Sequence, residues 1–407
     1  MFFYNNVIKT LNAGVNTIDD LIKSMDGAFI LEIYYVLKQI QQDNVNPFSK
    51  LAEKLLEELS KDFDQNEYKK HIEKINYLPI PHILDSDWRF TSKTTKFLCK
   101  YLKELLKPQN NLILIGVPSL FLLLNENKKL IDTATLLIER NNIAQNMTGN
   151  PNIICGDIRD VRLYNCADVV LCDPPWYMES TKYFLDAAQA MLHKDGILLM
   201  IVPPKGVRSS VENEYRELID YANNQGLSYT KILDGALDYV TPPFEINTLI
   251  NAGLKNFPID WRSGSMMVFT KKDNFLKTTT VSTEPYKSEW LEIQVQNVRF
   301  KVRDYIVPDQ LKAIEHLCEN DIYPTVSMQL NLKNDVNIWT SGNRVYRCKS
   351  PFLFRTALSL VQTQGFARNN IFAVLNKTEE TIEYLDLIES IVRTEESEYA
   401  HYWSKRC

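Results

Sequence analysis

Residues 168–180 read DVVLCDPPWYMES. Asp168–Cys172 is a short, almost wholly apolar run, which is the composition of a strand buried on both faces of a sheet. Asp173 ends that run, and Pro174 and Pro175 follow; neither proline can donate to a ladder, so the strand stops there in a turn of restricted geometry. Tyr177–Leu192 then carries a helical pattern. Strand, rigid turn and helix in that order form one repeat of a parallel sheet with helices on its faces.

Working outward, the same alternation runs on both sides for about 160 residues in all. The spacing predicts strands over Leu112–Gly116, Thr135–Glu139, Asn152–Cys155, Asp168–Cys172, Gly196–Val202, Tyr229–Leu233 and Met266–Thr270. Helices are expected over Thr91–Lys107, Tyr177–Leu192 and Ser210–Asn224. The expectation is an α/β fold with a Rossmann-like, seven-stranded, doubly wound sheet at residues 86–275. Upstream, from Thr17 to about residue 77, apolar residues recur at three- and four-residue spacing, as with Leu51, Leu55, Leu56 and Leu59. A helical domain is therefore expected at 1–85, possessing a Thr17/Asp20 capping box and a helix start near Asn46-Pro47. Such a unit serves packing, dimerisation or partner contact, or forms a winged helix.

Tyr77-Leu78-Pro79-Ile80-Pro81 breaks that pattern. After Lys271 the stretch KKDNFLKTTTVSTEPYK reads as a linker. A small α+β domain is expected at 285–407: a strand pattern over Glu292–Val302, helices at Pro308–Cys318 and Pro351–Gln364, and a hairpin over Val336–Val345 around Ser341-Gly342-Asn343. Trp339, Arg344, Tyr346, Arg347, Lys349 and Arg355 interleave aromatic and basic groups there. That suits either nucleic-acid contact or a half-buried strand with a charged outer face.

Bulk properties narrow the function classes. The chain has 407 residues, 45% of them hydrophobic, 24% charged and 11% aromatic, with a formal net charge of −5. No global positive field exists to hold a polyanion. The seven cysteines are odd in number and never spaced C-x-x-C, so neither a disulfide framework nor a zinc knuckle is expected. The five histidines lie far apart, and no metal site is expected. Met1-Phe2-Phe3-Tyr4-Asn5 lacks a basic secretory region, and Leu112–Leu124 is too short and broken by Pro118 to cross a bilayer. A cytoplasmic location with no membrane association is expected.

In an open parallel sheet, ligands bind beyond the carboxyl ends of the strands. Glu139, ending the second strand, suits two ribose hydroxyls. Asp157 after the third suits an adenine amino group, with Ile158 against the ring. The first loop, Gly116-Val117-Pro118-Ser119, has one glycine, and Ser119 would cap the helix behind it. Asp173 would accept a hydrogen bond from a target amine, the Pro174 carbonyl would take another, and Trp176 offers a flat stacking face. Lys205, after Val202-Pro203-Pro204, and Arg208 suit a phosphate or an acidic substrate, or else a solvated loop. Phe244 follows the Pro242-Pro243 turn at the end of the sixth strand, and Asp260–Gly264 would form a hairpin on the same side.

The D-P-P-W stretch resembles the (D/N/S)-P-P-(Y/F/W) motif of class I S-adenosylmethionine-dependent amino-methyltransferases, which act on adenine N6, cytosine N4, or glutamine and lysine side chains. Trp88-Arg89-Phe90-Thr91 and Val117-Pro118-Ser119 are similar to the stretches that open the domain and replace the glycine-rich loop in adenine-N6-type enzymes, elongation-factor lysine methyltransferases among them. The resemblance covers about residues 86 to 205. It implies a target-amine site of Asp173, Pro174, Pro175 and Trp176, and S-adenosyl-L-methionine among Gly116, Ser119, Glu139 and Asp157. Apart from the resemblance, Ile158 is expected beside the cofactor, and Trp88, Lys205 and Phe244 toward the substrate. The sequence departs from the lysine enzymes in having Trp176 where they have Tyr or Phe, and in its long flanks.

The acceptor stays open between protein side chain and nucleobase. A second enzymatic reading is aminopropyl transfer, because branched-chain polyamine synthases also set a helical domain before this sheet; that chemistry wants an acidic cluster, and GVPS is not acidic. A catalytically silent scaffold is the third reading, favoured by the single glycine of the first loop.

Overall fold

The computed structural model describes residues 1–43, 45–61, 78–126, 133–140, 150–272, 289–304, 312–327 and 335–402. The chain divides into two compact units. The first comprises Met1–Phe63, Trp88–Thr241 and Asn256–Tyr286; the second comprises Asp64–Asp87, Pro242–Lys255 and Lys287–Cys407.

The first unit is built on strands β1 (Arg89–Phe90), β2 (Asn111–Ile115), β3 (Ala134–Glu139), β4 (Ile153–Cys155), β5 (Ala167–Cys172), β6 (Leu192–Val202), β7 (Leu227–Val240) and β8 (Ser263–Lys271). They form one sheet in the order β1-β7-β8-β6-β5-β2-β3-β4. Strands β4, β3, β2, β5 and β6 run parallel, whereas β8 is antiparallel to both β6 and β7. The chain winds from β2 outward to β4, then returns to β5 on the other side of β2, which makes the β2/β5 seam the switch point of a doubly wound sheet.

Alternation along each strand divides the core in two. Ile113, Ile115, Val170, Cys172, Leu198 and Met200 face helices α7 (Met178–Met191) and α8 (Val211–Asn224), contributing to one cluster with Leu185, Ala188, Tyr215 and Leu218. Leu112, Leu114, Val169, Leu171, Leu199 and Ile201 face the other way, onto Leu98 and Leu102 of α5 (Ser92–Leu105) and Leu120 and Phe121 of α6 (Pro118–Glu126). Burial on both sides accounts for the continuous apolar runs in the sequence.

The sheet has eight strands where the sequence predicts seven. The additional one, β1, is a two-residue pairing of Arg89 and Phe90 with Val240 and Tyr239, too short to leave a periodic signature. It is reachable because β7 runs on well past Leu233, through a register shift between Leu233 and Leu237.

Among the described residues, four helices precede the sheet: α1 (Phe2–Asn12), α2 (Ile18–Ser24), α3 (Ile30–Gln42) and α4 (Ser49–Ser60). Thr17 caps α2, its hydroxyl accepting from the Asp20 amide. The corner between α2 and α3 packs on the loop after β6. There the Asp26 carboxylate accepts from the Gly206 amide, and a Cβ on Gly206 would lie 1.9 Å from the Met25 carbonyl oxygen. Only glycine fits that approach.

In the second unit, β9 (Trp290–Val295), β10 (Val298–Arg303), β11 (Ile314–His316), β12 (Ile338–Thr340) and β13 (Val345–Cys348) pair antiparallel in the order β11-β13-β12-β10-β9. Among its described residues are also helices α9 (Pro243–Asn251), α10 (Pro351–Gln364), α11 (Arg368–Leu375) and α12 (Glu379–Tyr402). The sequence reads Glu292–Val302 as a single strand pattern. It is a hairpin, turning where Gln296 adopts φ 53°. Of the helix predicted at Pro308–Cys318, the part before 312 lies outside the described residues, and Ile314–His316 is strand β11, paired with β13. Among the described residues no helix is long and apolar enough to cross a membrane.

Lys271 is read in the sequence as the start of a linker, but it ends β8 and is fully buried. Its Nζ donates to the carbonyls of Gln189 and Leu192, at 2.8 and 2.7 Å, and so closes the carboxyl end of α7. Lys271→Met is expected to remove both hydrogen bonds and cost about 1–3 kcal/mol. A lower urea midpoint for the unfolding of the sheet unit would show it.

Candidate active site

Gly116 and Asp173 meet at the switch point because their strands are in register. Ile115 pairs with Cys172, and the ladder continues one step further, the Asp173 amide donating to the Ile115 carbonyl at 3.1 Å. Gly116 adopts φ +70°, and a Cβ there would stand 3.2 Å from the Asp173 carbonyl oxygen, so the one glycine of the loop sits where the backbones crowd. Behind it, Ser119 lies buried in the first turn of α6. Glu139 is buried at the end of β3, its Oε1 accepting from the Arg140 amide at 2.9 Å. Gly116, Ser119, Glu139 and Asp173 thus share the carboxyl edge of adjacent parallel strands.

Asp157 follows β4 at the same edge. The Arg159 guanidinium takes both its oxygens, Nε at 2.7 Å and a terminal nitrogen at 2.8 Å, with Arg140 3.6 Å away. Burial would raise its pKa, but the hydrogen bonds and charge of Arg159, helped by Arg140, outweigh that and hold it below the usual carboxylate range. An adenine amino group would have to use the lone pairs that this fork leaves. Ile158 is buried in the core cluster beside α7.

The DPPW turn is held from several sides. Arg208 donates to the Trp176 carbonyl at 2.9 Å while forming a two-point pair with Glu214, at 2.8 and 2.6 Å. Arg208, read in the sequence as a phosphate or acidic-substrate contact, is here a brace between α8 and the turn. Tyr239, fully buried near the end of β7, donates its hydroxyl across both oxygens of Asp173, at 3.0 and 2.9 Å. The Trp176 and Tyr239 rings meet edge to face, 5.8 Å between centroids at 77°. The Arg262 guanidinium lies among three tryptophans, 4.6 Å from the Trp261 ring, 5.2 Å from Trp88 and 6.0 Å from Trp176. Asp260–Gly264 is therefore not a hairpin but the approach to β8 that delivers Arg262.

The electrostatics single out Asp173. Burial raises its pKa to about 8; the Tyr239 hydrogen bond lowers it, and the nearby negative charge of Glu139 raises it further. The pKa of Tyr239 itself is driven well above the ordinary phenol value by burial, by the Asp173 charge and by its hydrogen bond to that carboxylate. Tyr239 therefore stays protonated as a donor.

The other expected substrate residues have surroundings of their own. Lys205 is exposed and pairs with Asp234 at 3.5 Å. Phe244 belongs to the second unit, fully buried in the first turn of α9. Trp88 is half-buried under Arg262. Tyr239 and Arg262 are absent from the sequence-based site. Tyr239 fell beyond the predicted end of its strand, and the signal that finds it is the prolyl turn Pro242-Pro243 close behind it, which marks the strand's real carboxyl end.

In the second unit, the basic residues around the β12–β13 hairpin face acids of their own unit. Arg344 pairs with Glu395 and Glu398, Arg347 with Glu315 and Asp335, and Arg355 with Asp304. Trp339 is fully buried. Among the described residues no group of three or more His, Cys, Asp or Glu is placed to hold a metal.

No family model matches the sequence, and no curated protein matches it. Among solved structures the chain is similar to a mutein of the branched-chain polyamine synthase from Thermus thermophilus in complex with N4-aminopropylspermidine and 5′-methylthioadenosine, at 11% identity and TM-score 0.49, over 70% of this chain and 91% of that one. It is similar to a putative RNA methyltransferase from Pyrococcus horikoshii, at 13% identity and TM-score 0.36, over 51% of this chain and 98% of the other. A putative S-adenosylmethionine-dependent methyltransferase from Listeria monocytogenes matches at 12% identity and TM-score 0.29, over 43% and 97%. The neighbours are methyltransferase-fold enzymes and a polyamine synthase. The assignment to the Rossmann-like α/β class rests on the strand order.

The raised pKa of Asp173 has a consequence for stability. In the unfolded chain an aspartate releases its proton near pH 4, whereas Asp173 in the folded state holds it until about 8. Between those values the folded state binds more protons, so this group's contribution to stability is complete below pH 4 and is lost as pH rises through 8. Relative to the parent protein, Asp173→Asn is expected to gain stability as pH rises from 4, where its effect is small, to 8.5, where the gain is on the order of 5 kcal/mol. Melting temperatures of both proteins across that range would read it.

Proposed function

We propose that this protein is an S-adenosylmethionine-dependent N-methyltransferase acting on an amine or amide of a protein side chain or a nucleobase. The observation that carries the reading is Asp173-Pro174-Pro175-Trp176 at the β2/β5 switch point, where the winding of the sheet reverses. When bound, S-adenosylmethionine would supply an electrophilic methyl group. The residues present fit it: the positive-φ Gly116 leaves room where a side chain would crowd the Asp173 carbonyl, Ser119 lies in the first turn of the helix behind the loop, inside it and not at its cap, and Glu139 offers a strand-end carboxylate for ribose hydroxyls. Asp173 and the Pro174 carbonyl would orient the acceptor nitrogen, and Trp176 would bound it on one side. Transfer to nitrogen depends on alignment of its lone pair more than on acid–base strength, which matches a braced turn.

Aminopropyl transfer uses the same kind of displacement and the same cleft. Arg262 weighs against it, because it sets a positive charge 6.0 Å from the Trp176 ring, where a polycationic acceptor would need acids.

Titration calorimetry with S-adenosylmethionine tests the first requirement. Micromolar to sub-millimolar binding is expected, and no heat at millimolar cofactor would leave a silent methyltransferase-like scaffold as the reading. With binding in hand, Asp173→Ala is expected to reduce transfer by about 100-fold or more while changing cofactor affinity less than about threefold. A large loss of affinity would instead make Asp173 a cofactor ligand.

A further inference from the structure

Tyr239 plays no part in the motif that suggests the reaction, yet it makes the closest side-chain contacts to the motif's acid. Its hydroxyl lies 3.0 Å from Asp173 Oδ1 and 2.9 Å from Oδ2. Its ring is fixed on three sides: by Phe90 at 4.9 Å between centroids, by Trp176 edge to face, and by Gly264, where a Cβ would fall 3.0 Å from Tyr239 Cε2. The backbone amide is tied to the Arg262 carbonyl at 2.9 Å. A side chain so confined cannot swing away, so Asp173 keeps its donor whatever enters the cleft.

We propose that Tyr239 is a positioning residue for Asp173, holding its carboxyl group in one orientation and favouring the ionised form that can accept a proton from the substrate's nitrogen. The idea rests on the methyltransferase reading for the identity of that nitrogen. In the proton step, a hydrogen on nitrogen passes to a carboxylate oxygen of Asp173, leaving nitrogen one positive charge lower and the carboxyl group neutral. Tyr239 keeps its own proton throughout and acts only by donating it in a hydrogen bond.

The charged and titratable neighbours are Glu139 from β3, Cys172 from β5, Tyr239 from β7 and Arg262 from the approach to β8. Glu139 opposes ionisation of Asp173, and the buried Cys172 thiol is pushed well above its ordinary value, so it stays neutral. Arg262 lowers the pKa of Tyr239, which strengthens it as a donor. The phenol is thus the group that favours the charged form of Asp173 against burial and Glu139.

Tyr239→Phe removes the donor and keeps the ring. The Asp173 carboxyl resonance, followed by carbon-13 NMR of aspartate-labelled protein and assigned by its loss in Asp173→Asn, is expected to titrate about one pH unit higher in the variant. The acid limb of kcat is expected to move up with it, so that activity drops about tenfold at pH 7 and recovers at high pH, with KM for the cofactor little changed. Should Tyr239→Phe not fold, 3,5-difluorotyrosine placed at 239 makes the phenol a stronger donor and is expected to move the same resonance down. An unchanged midpoint together with a uniform loss at every pH would overturn the proposal, leaving Tyr239 a packing residue. A shifted resonance in a protein without transfer activity would uphold the role of Tyr239 and reject the methyltransferase reading instead.

Discussion

Covering both faces of a parallel sheet leaves no room for polar chemistry except where the strands end, and every feature of the candidate site follows from that restriction. The apolar residues of strands β2 and β5 are buried by α5 and α6 on one face and α7 and α8 on the other. The winding reverses between these two strands, so no crossover helix closes the edge above their seam. Register does the remainder: with Ile115 opposite Cys172, the next residues on each strand, Gly116 and Asp173, emerge side by side. A slip of one residue would turn Asp173 into a core face.

What emerges there is rigid and electrically unusual. Asp173 is anchored through its amide to β2 and through its carboxyl group to Tyr239, while Arg208 grips the Trp176 carbonyl at the far end of the turn. Two prolines lie between those anchors. The burial that raises the Asp173 pKa to about 8 works against folding at alkaline pH, a cost of the kind found where a group is kept for chemistry and not for stability. Asp157, three strands away, shows the opposite treatment. Two arginines neutralise it, as expected of an acid that braces a loop.

The flanking segments support their own units by close packing and internal charge pairing. The α2–α3 corner seats against the loop that carries Gly206 and, two residues on, Arg208. In the second unit Arg299 is fully buried, held by Asp85 and Glu292, and Arg344 by Glu395 and Glu398. Breaking such pairs leaves a buried charge without its partner, so they fix the arrangement of their neighbours even where their net contribution to stability is small.

Much of this could be read from the linear sequence, and the physical reason divides what could from what could not. Two-sided burial writes itself into a strand as an unbroken apolar run, and a helix writes itself as a 3.6-residue period. The sheet's long strands, helices α5, α7, α8 and α10, and the strand-end acids Glu139, Asp157 and Asp173 were therefore all legible locally. Short or polar pairings left no such trace: β1 has two residues, β11 three, and the β9–β10 turn sits inside one alternating run. Nor does sequence tell a buried basic residue from an exposed one, so Lys271 passed for linker. Only the folded chain shows that Tyr239, 66 residues beyond Asp173, donates to its carboxylate, or that Arg159 already occupies Asp157. Periodicity is a property of neighbours in the chain, whereas the protonation state of Asp173 is set by atoms that only the tertiary structure brings to it.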